Sequence, residues 1–323
     1  MDERKISELP PATSESEVMR TAGKLIAFVL GFSFCFYSQA SIFEREEVLT
    51  VHSDKTSSAQ QSYRSNRTNR LHVVSLNMAH GRGDSFNQMF LSKKRIKSNL
   101  NSIADFLKEQ NPDVVALQEA DGISWWSGGF DHVAFLAENA GYNYFVRGNH
   151  VDQFFGQYGT AILSKYPIEE ALSYRFKPTP PTLSKGFVLS SIKLPCGTEG
   201  NKENCPLVDL YSVHLDFSRQ SKRQDQIDQL MAVLEKRQNV NIVMGDFNSV
   251  WRGGDKIIGQ IIKGGQLKTY FKESLSLGTY GDNRLDWIFV SPELSFISYS
   301  VSAEVLSDHQ AISAQILIPT AIN

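Results

Sequence analysis

No excess of charge, no repeat and no low-complexity tract marks this sequence. Its 323 residues carry 33 basic and 35 acidic side chains, a net charge of −2. No overall basic field therefore argues for nucleic acid, and no acidic tail argues for disorder. The absence of any internal repeat, heptad or collagen-like period excludes solenoids, coiled coils and fibrous folds. Cysteine is scarce: of the three, Cys35 lies in an apolar run, which leaves Cys196 and Cys205 for the folded part. These two flank a polar loop between two apolar runs, where a local bridge and a pair of free thiols are both open. What is present is ordinary globular material, 41% apolar and 21% charged, enough for one large domain or two smaller ones.

The front of the chain differs from the rest. Met1–Thr21 is polar and rich in Ser and Glu and reads as a flexible tail. Ala22–Tyr37 is an apolar run, shorter than the roughly 20 residues that span a bilayer comfortably. Arg20 and Lys24 lie at its front and Glu44, Glu46 and Glu47 follow it, a polarity that places the downstream chain outside the cytoplasm. Ser38-Gln39-Ala40 offers small residues where a signal peptidase reads. Residues 22–40 are therefore expected to be a signal peptide or a retained membrane anchor, with a buried globular helix as a third reading. The catalytic part would then be secreted or membrane-anchored, and extracytoplasmic in either case. Residues 41–70 read as a linker, with Asn66-Arg67-Thr68 as a glycosylation sequon, and residues 71–323 as the folded domain.

Within that domain, Leu71–Asn77 and Asp113–Leu117 read as buried strands, and Ser92–Gln110 has helical spacing through Ile96, Leu100, Ile103 and Leu107. A short helix is expected from Asp131 to Asn139, then strands over Tyr142–Arg147 and Thr160–Leu163. Phe187–Leu194 and Leu207–Val213 form a hairpin. Arg219–Lys236 is an amphipathic helix with Ile227, Leu230, Val233 and Leu234 inward, and Lys256–Lys263 is a shorter one. Arg284–Val290, Ser298–Val305 and Ala311–Ile318 complete the strands. Helices follow only some strands, so a regular doubly wound sheet fits poorly. Two packed sheets with helices on their outer faces fit better.

The stretch that organises the chain is Val240–Asn248, an apolar strand running into Gly245-Asp246-Phe247-Asn248. If the strand stays extended, Asp246 and Asn248 leave on the same side, where an acid and an amide can hold a hydrated metal or a phosphate. The competing reading is an Asx-rich turn. Other strands also end in residues able to ligate metal or move a proton: Asn77, Glu119, His214, and Asp308 with His309. Each alone has a structural explanation, but their recurrence at separate buried strand ends suits one rim of a sandwich.

These residues resemble the endonuclease/exonuclease/phosphatase superfamily, the DNase I-like phosphoesterases. The motifs run in the family's order as Leu76-Asn77, Gln118-Glu119, Val213-His214-Leu215-Asp216, Gly245-Asp246-Phe247-Asn248, Arg284-Leu285-Asp286-Trp287 and Ser307-Asp308-His309. The resemblance covers about Leu71 to Pro319 and implies an α/β fold, a four-layered α/β sandwich with the site on one rim. It implies Glu119 as the principal ligand of Mg2+ or Mn2+, with Asn77 and Asp308 nearby. Asp246 would orient or deprotonate the attacking water, with Asn248 holding the phosphate or Asp246. His309 would donate to the phosphate, its ring fixed by Asp286, and His214 would contact the phosphate or act as general acid. An ion pair between Arg284 and Asp286 is the structural alternative for that acid. Ala79 stands where abasic-site endonucleases carry an acid, which counts against that activity. His80 falls where many bacterial members place a His, and Tyr158-Gly159 resembles a segment near the phosphate.

The resemblance thus implies a divalent-metal-dependent phosphoester hydrolase, of nuclease type by preference, acting on a phosphodiester in nucleic acid before phospholipid. Lys93, Lys94, Arg95 and Lys97 form one basic cluster and Arg219, Lys222 and Arg223 another, either of which would track phosphates. A membrane-associated lipid or inositol phosphoesterase is the alternative, favoured by the segment 22–40. Trp125 and Trp126 would suit stacking on bases, dipping into a membrane, or buried packing. A non-catalytic binding module is the third reading.

Overall fold

A computed structural model describes residues 45–53, 69–194, 207–251, 256–271 and 277–319. The segment 22–40, the sequon and the Cys196–Cys205 loop lie outside the described residues. In chain order the strands and helices begin β1 (Arg45–Val48), β2 (His52–Ser53), β3 (Arg70–Asn77), α1 (Lys93–Gln110), β4 (Val114–Asp121), α2 (His132–Ala140), β5 (Tyr144–Gln153), β6 (Gly156–Ser164) and β7 (Ile168–Arg175). They continue β8 (Gly186–Lys193), β9 (Leu207–His214), α3 (Gln220–Leu234), β10 (Val240–Asp246), α4 (Ile257–Gly264), β11 (Lys268–Thr269), β12 (Asp286–Val290), β13 (Ser295–Val301) and β14 (Ile312–Leu317).

Among the described residues the strands form two seven-stranded mixed sheets, ordered β1-β7-β8-β9-β10-β12-β11 and β13-β14-β3-β4-β6-β5-β2. Three apolar clusters account for the layering. One lies between the sheets, drawing Val73 and Val114 from one and Leu210, Ile242 and Met244 from the other. The second packs α1 and α2 on the outer face of β3 and β4 through Val74, Val115, Ile96, Leu100 and Ile103. The third packs α3 and α4 on β9 and β10 through Val243, Tyr211, Ile227, Leu230 and Ile258. Neighbouring residues such as Val73 and Val74 serve opposite faces, and both faces are covered. That is why the central strands read as continuous apolar runs. The expected four-layered α/β sandwich is the fold observed.

Local chemistry explains the element ends. Ser92 accepts the Arg95 N–H and starts α1, and Asn111 closes it in the left-handed region. Asp131 caps α2. In α3, Ile227, Leu230, Met231 and Leu234 are buried, while Val233 is only half-buried.

The sequence reading needs correction at the edges. Residues 45–53 are not linker: β1 pairs antiparallel with β7, and β2 with β5. Strand β7 itself was not expected, because Ile168-Glu169-Glu170-Ala171-Leu172 reads locally as helix-prone; pairing with β8 decides it. The strand expected at Ser298–Val305 begins and ends earlier, at Ser295–Val301. No helix among the described residues is long and apolar enough to cross a membrane.

Candidate active site

Strand direction gathers the polar residues at one end of the sandwich. The parallel strands β9 and β10 end there, at His214 and Asp246, which are register partners. The antiparallel strand β12 begins there, with Asp286 opposite Asp246. Strand β8 begins there too: Gly186 faces His214, so Lys185 arrives beside it. From the other sheet, β3 ends at Asn77 and the Ser307–His309 turn precedes β14. Glu119 sits in a bulge of β4 between Gln118 and Ala120, at φ +49°. A non-glycine residue held there is strained by about 1–3 kcal/mol, and the bulge re-aims its side chain out of the ladder.

Asp246 is the centre of the arrangement and is fully buried. Asn77 Nδ2 donates to its Oδ2 at 3.0 Å, so the two sheets are joined through this acid. The Asn248 N–H donates to Oδ1 at 2.9 Å and Asn248 Nδ2 to Oδ2 at 3.3 Å. Nε2 of His214 lies 3.5 Å and Nε2 of His309 3.8 Å from Oδ2. The strand does not stay extended to Asn248. It stops at Asp246, and Asn248 adopts φ +48°, so an Asx turn rather than strand alternation brings the amide back onto the acid. Burial, then the neighbouring Asp286 carboxylate, pushes the Asp246 carboxyl up to about 7 against the pull of His309 and the Asn248 and Asn77 hydrogen bonds. Asp246 can thus exchange a proton near neutrality.

His309 and Asp286 form a dyad, with Nδ1 2.8 Å from Asp286 Oδ2, and Thr279 Oγ1 donates to the same oxygen at 2.6 Å. Burial opposes the charged ring, but Asp286, then Asp246 and Asp308, raise it to about 10. His309 is therefore an imidazolium whose Nε2 remains available. The alternative ion pair between Arg284 and Asp286 is not formed. Arg284 stacks over Trp287, 3.8 Å from the ring centroid, and donates to the Tyr270 carbonyl.

Glu119 is surrounded by nitrogen at distances longer than hydrogen bonds. His80 Nε2 lies 3.4 Å from Oε2, and Lys185 Nζ and His214 Nε2 lie 3.6 Å and 3.9 Å from Oε1. Burial would raise the Glu119 carboxyl, yet His80, Lys185, His214 and His309 together hold it well below the usual carboxylate range. Lys185 Nζ also stands 3.1 Å from His214 Nε2. Burial first, and this lysine second, keep the His214 ring neutral. His214 accepts from Lys185 and faces both Glu119 and Asp246, 3.9 Å and 3.5 Å from their oxygens.

Three polar residues escaped the sequence reading. Lys185 is one; its only signal was a place just before a hairpin strand. Asp121 is another, its Oδ1 2.7 Å from His80 Nδ1 and its Oδ2 accepting from Trp126 Nε1 at 3.1 Å. Burial opposes a charge on His80, but Asp121 and then Glu119 raise it. The third is Arg82, whose Nη2 is 2.5 Å from Asp308 Oδ2. The Tyr158 ring packs edge-on to His80 at 4.8 Å. Asp216 is structural: it accepts from Ser218, Thr179 and Thr182 and holds the loop after β9.

Two donor sets bear on a metal. Ligand atoms of Asp246, Asp286 and His309 lie within 4.8 Å of one another, but the dyad hydrogen bond already occupies one atom each of Asp286 and His309. Glu119 is partly open, its side chain 21% exposed with no oxygen closer than 3.4 Å to its ion-pair partners; Asp308 is 28% exposed, but Arg82 pairs with its Oδ2 and the Ser307 hydroxyl donates to its Oδ1. Asn77 Oδ1 accepts from the Ala79 N–H at 3.1 Å, which leaves one lone pair. Carboxylate and carbonyl oxygens with access to water fit a hard divalent cation, which keeps several waters of its own.

Residues 74–309 match the Endonuclease/Exonuclease/phosphatase family. The chain belongs to that family. It is thereby a phosphoesterase, a hydrolase, and divalent-metal dependence is typical of its relatives. Solved structures agree at the level of fold. A family member from Bacteroides vulgatus aligns with TM-score 0.59 at 16% identity over 78% of this chain and 100% of its own. The human Nocturnin catalytic domain, with bound sulfate, aligns with TM-score 0.56 at 16% identity over 83% and 97%. A mannosyl-6-phosphatase from Bacteroides thetaiotaomicron aligns with TM-score 0.55 at 16% identity over 77% and 100%. No curated protein sequence matches the chain.

Proposed function

We propose that the protein is a phosphodiesterase that hydrolyses its substrate with water, Asp246 serving as the base. The observation that carries this reading is the buried Asp246, held near neutrality and flanked by a charged His309. Asp246 would accept the proton of the attacking water, with Asn77 and Asn248 fixing the carboxylate so that one oxygen meets it. His309, oriented through Asp286, would donate from Nε2 to a phosphate oxygen as negative charge builds. Lys185 adds a fixed positive charge between His214 and Glu119. Glu119, with Asn77 and Asp308, would hold Mg2+ or Mn2+. When bound, the cation supplies neutralisation of the phosphate and leaving oxygens.

The sulfate in Nocturnin and the sugar phosphate in the name of the mannosyl-6-phosphatase support a tetrahedral oxyanion as the group bound. Nucleic acid and phospholipid are both substrate classes to test, because the basic residues that favoured nucleic acid in the sequence are in part engaged within the protein. Arg219 donates to the Thr179 and Pro180 carbonyls and Arg223 to the Asp216 carbonyl, while Lys222 pairs with Asp225. The two arginines of that cluster are thus committed to backbone carbonyls, whereas in the cluster at the start of α1 Lys94 and Arg95 are exposed and Lys93 and Lys97 lean over the Phe130 ring. The deciding experiment incubates the full chain and its Glu119→Ala variant with Mg2+ or EDTA against plasmid DNA, RNA, phospholipid vesicles and inositol phosphates. Turnover abolished by both EDTA and the substitution is expected. Turnover indifferent to both would sink the metal assignment.

A further inference from the structure

Large apolar side chains stand outward on the rim beside Glu119. After β3, Phe86 and Phe90 are 93% and 82% exposed, with Met89 between them also exposed; after β4, Ile123 and Trp125 are 68% and 60% exposed. These loops are not loose. Asn87 Oδ1 accepts the Met89 N–H at 2.9 Å, and Gln88 is buried beneath. The short helices Gln88–Phe90 and Trp125–Ser127 pack on each other. Ser124 exchanges hydrogen bonds with the Gln157 backbone at 2.8 and 2.9 Å, and Trp126 packs on Phe155 at 5.0 Å, which ties both loops to the β5–β6 hairpin. Gln88, Ser127 and Asp121 are buried in this rim while Phe86, Phe90, Ile123 and Trp125 are exposed on it. An exposed apolar patch on an ordered surface marks an interaction site.

Charge identifies the occupant. Lys93, Lys94, Arg95 and Lys97, all exposed, follow Phe90 directly, and no acidic residue lies between Phe86 and Lys97. Apolar tips bordered by a basic cluster match an anionic bilayer, which offers an acyl boundary to the tips and phosphates to the cations. A single-stranded nucleic acid fits less well. Met89 and Ile123 have no ring on which a base can stack, and the phenylalanines stand at loop tips instead of lining a basic groove. We propose that this rim docks the domain on an anionic phospholipid bilayer, with Phe86, Phe90, Ile123 and Trp125 entering the headgroup region and the Lys93–Lys97 cluster on the lipid phosphates. The first of these loops also carries His80 and Arg82, and Asp121 ends the strand that leads into the second, so docking sets the active site at the lipid surface. The docking itself requires no catalysis.

The test uses the full chain with vesicles of phosphatidylcholine and phosphatidylserine whose acyl chains are brominated near the carbonyl. Bromolipid should quench the tryptophan emission of the native chain, and Trp125→Phe should lose most of that quenching while remaining vesicle-bound. The double variant Phe86→Ser/Phe90→Ser, checked for an unchanged thermal midpoint, should lose it as well. High salt or phosphatidylcholine alone should weaken it. Because Trp125 reports contact at the rim, attachment through residues 22–40 alone would give flotation without this quenching and would overturn the proposal. So would quenching that persists undiminished in Trp125→Phe. A single-stranded oligonucleotide that changes Trp125 emission and displaces the vesicles would reassign the surface to nucleic acid. A dimer that the double variant dissolves would reassign it to a second copy. No outcome depends on turnover, so the docking and the catalytic reading fail separately.

Discussion

Asp246, His309 and Glu119 carry the sharpest expectations at the scale of single residues. Asp246→Asn keeps the shape and most hydrogen bonds of the acid but removes the base. It should lower kcat by about 10²–10⁴-fold, as should His309→Ala, with thermal midpoints near that of the native chain; a variant that retains normal turnover would remove the residue from the mechanism. Mg2+ should raise the thermal midpoint, by about 2.7 kcal/mol of stability at a hundredfold excess over Kd, and Glu119→Ala should abolish the shift. His150 gives a pH expectation away from the reacting groups. Its Nε2 pairs with Thr160 Oγ1 at 2.9 Å, and its Nδ1 is buried without a partner. Burial, then Arg175 and Lys185, lower it from 6.5 to about 3. The folded chain holds it neutral while the unfolded chain takes up a proton below 6.5. The stability it contributes is therefore full above that pH and is lost as pH falls toward 3. The difference in denaturation midpoint between the native chain and His150→Gln, followed from pH 7 downward, should show this slope.

Elements were legible where their periodicity was local. Helix α1 appears in the spacing of Ile96, Leu100, Ile103 and Leu107, and these side chains are buried against β3 and β4. Strand β10 appears as an apolar run because Met244 faces the intersheet core and Val243 faces the helices. Strand β7 was hidden because its glutamates favour helix in isolation, and only its neighbours make it a strand. Gly245 shows how tightly one element constrains the site. Its φ is +147°, and a Cβ there would stand 2.0 Å from the Val213 carbonyl oxygen. Gly245→Ala should therefore disrupt the β9–β10 pairing, cost on the order of 3 kcal/mol in chemical denaturation, and take activity with it, since Asp246 is the next residue. An unchanged denaturation midpoint would show that the ladder tolerates the methyl group.

At the scale of the whole molecule, the sandwich begins before residue 71. Strands β1 and β2 cover the outer edges of β7 and β5, and uncovered edges template association. A chain starting at residue 69 should melt lower and aggregate more readily than one starting at residue 45, measured by calorimetry and light scattering. The architecture also explains why family membership was readable from scattered dipeptides. Strands that run in opposite directions meet at one rim, so residues as distant as Asn77 and Asp246 come within 3.0 Å. Conversely, the two basic clusters look alike along the chain, and only folding shows that Arg219 and Arg223 satisfy buried carbonyls.

By itself, the sequence determined the apolar periodicities, the layered sandwich, and the acids, amides and histidines that end its central strands, because side-chain alternation and chemical identity are written residue by residue. Tertiary structure alone decided which of those groups touch and in what ionic form. His214 is neutral because burial, and then a lysine that arrives just before β8, stand against its charge, whereas His309 is charged because Asp286 lies 2.8 Å away. It also decided that Arg82 meets Asp308, that residues 45–53 belong to the sheets, and that the loops beside Glu119 leave large apolar side chains exposed. Such outcomes depend on distance and dielectric between segments remote in the chain, and neither is encoded in any local stretch of it.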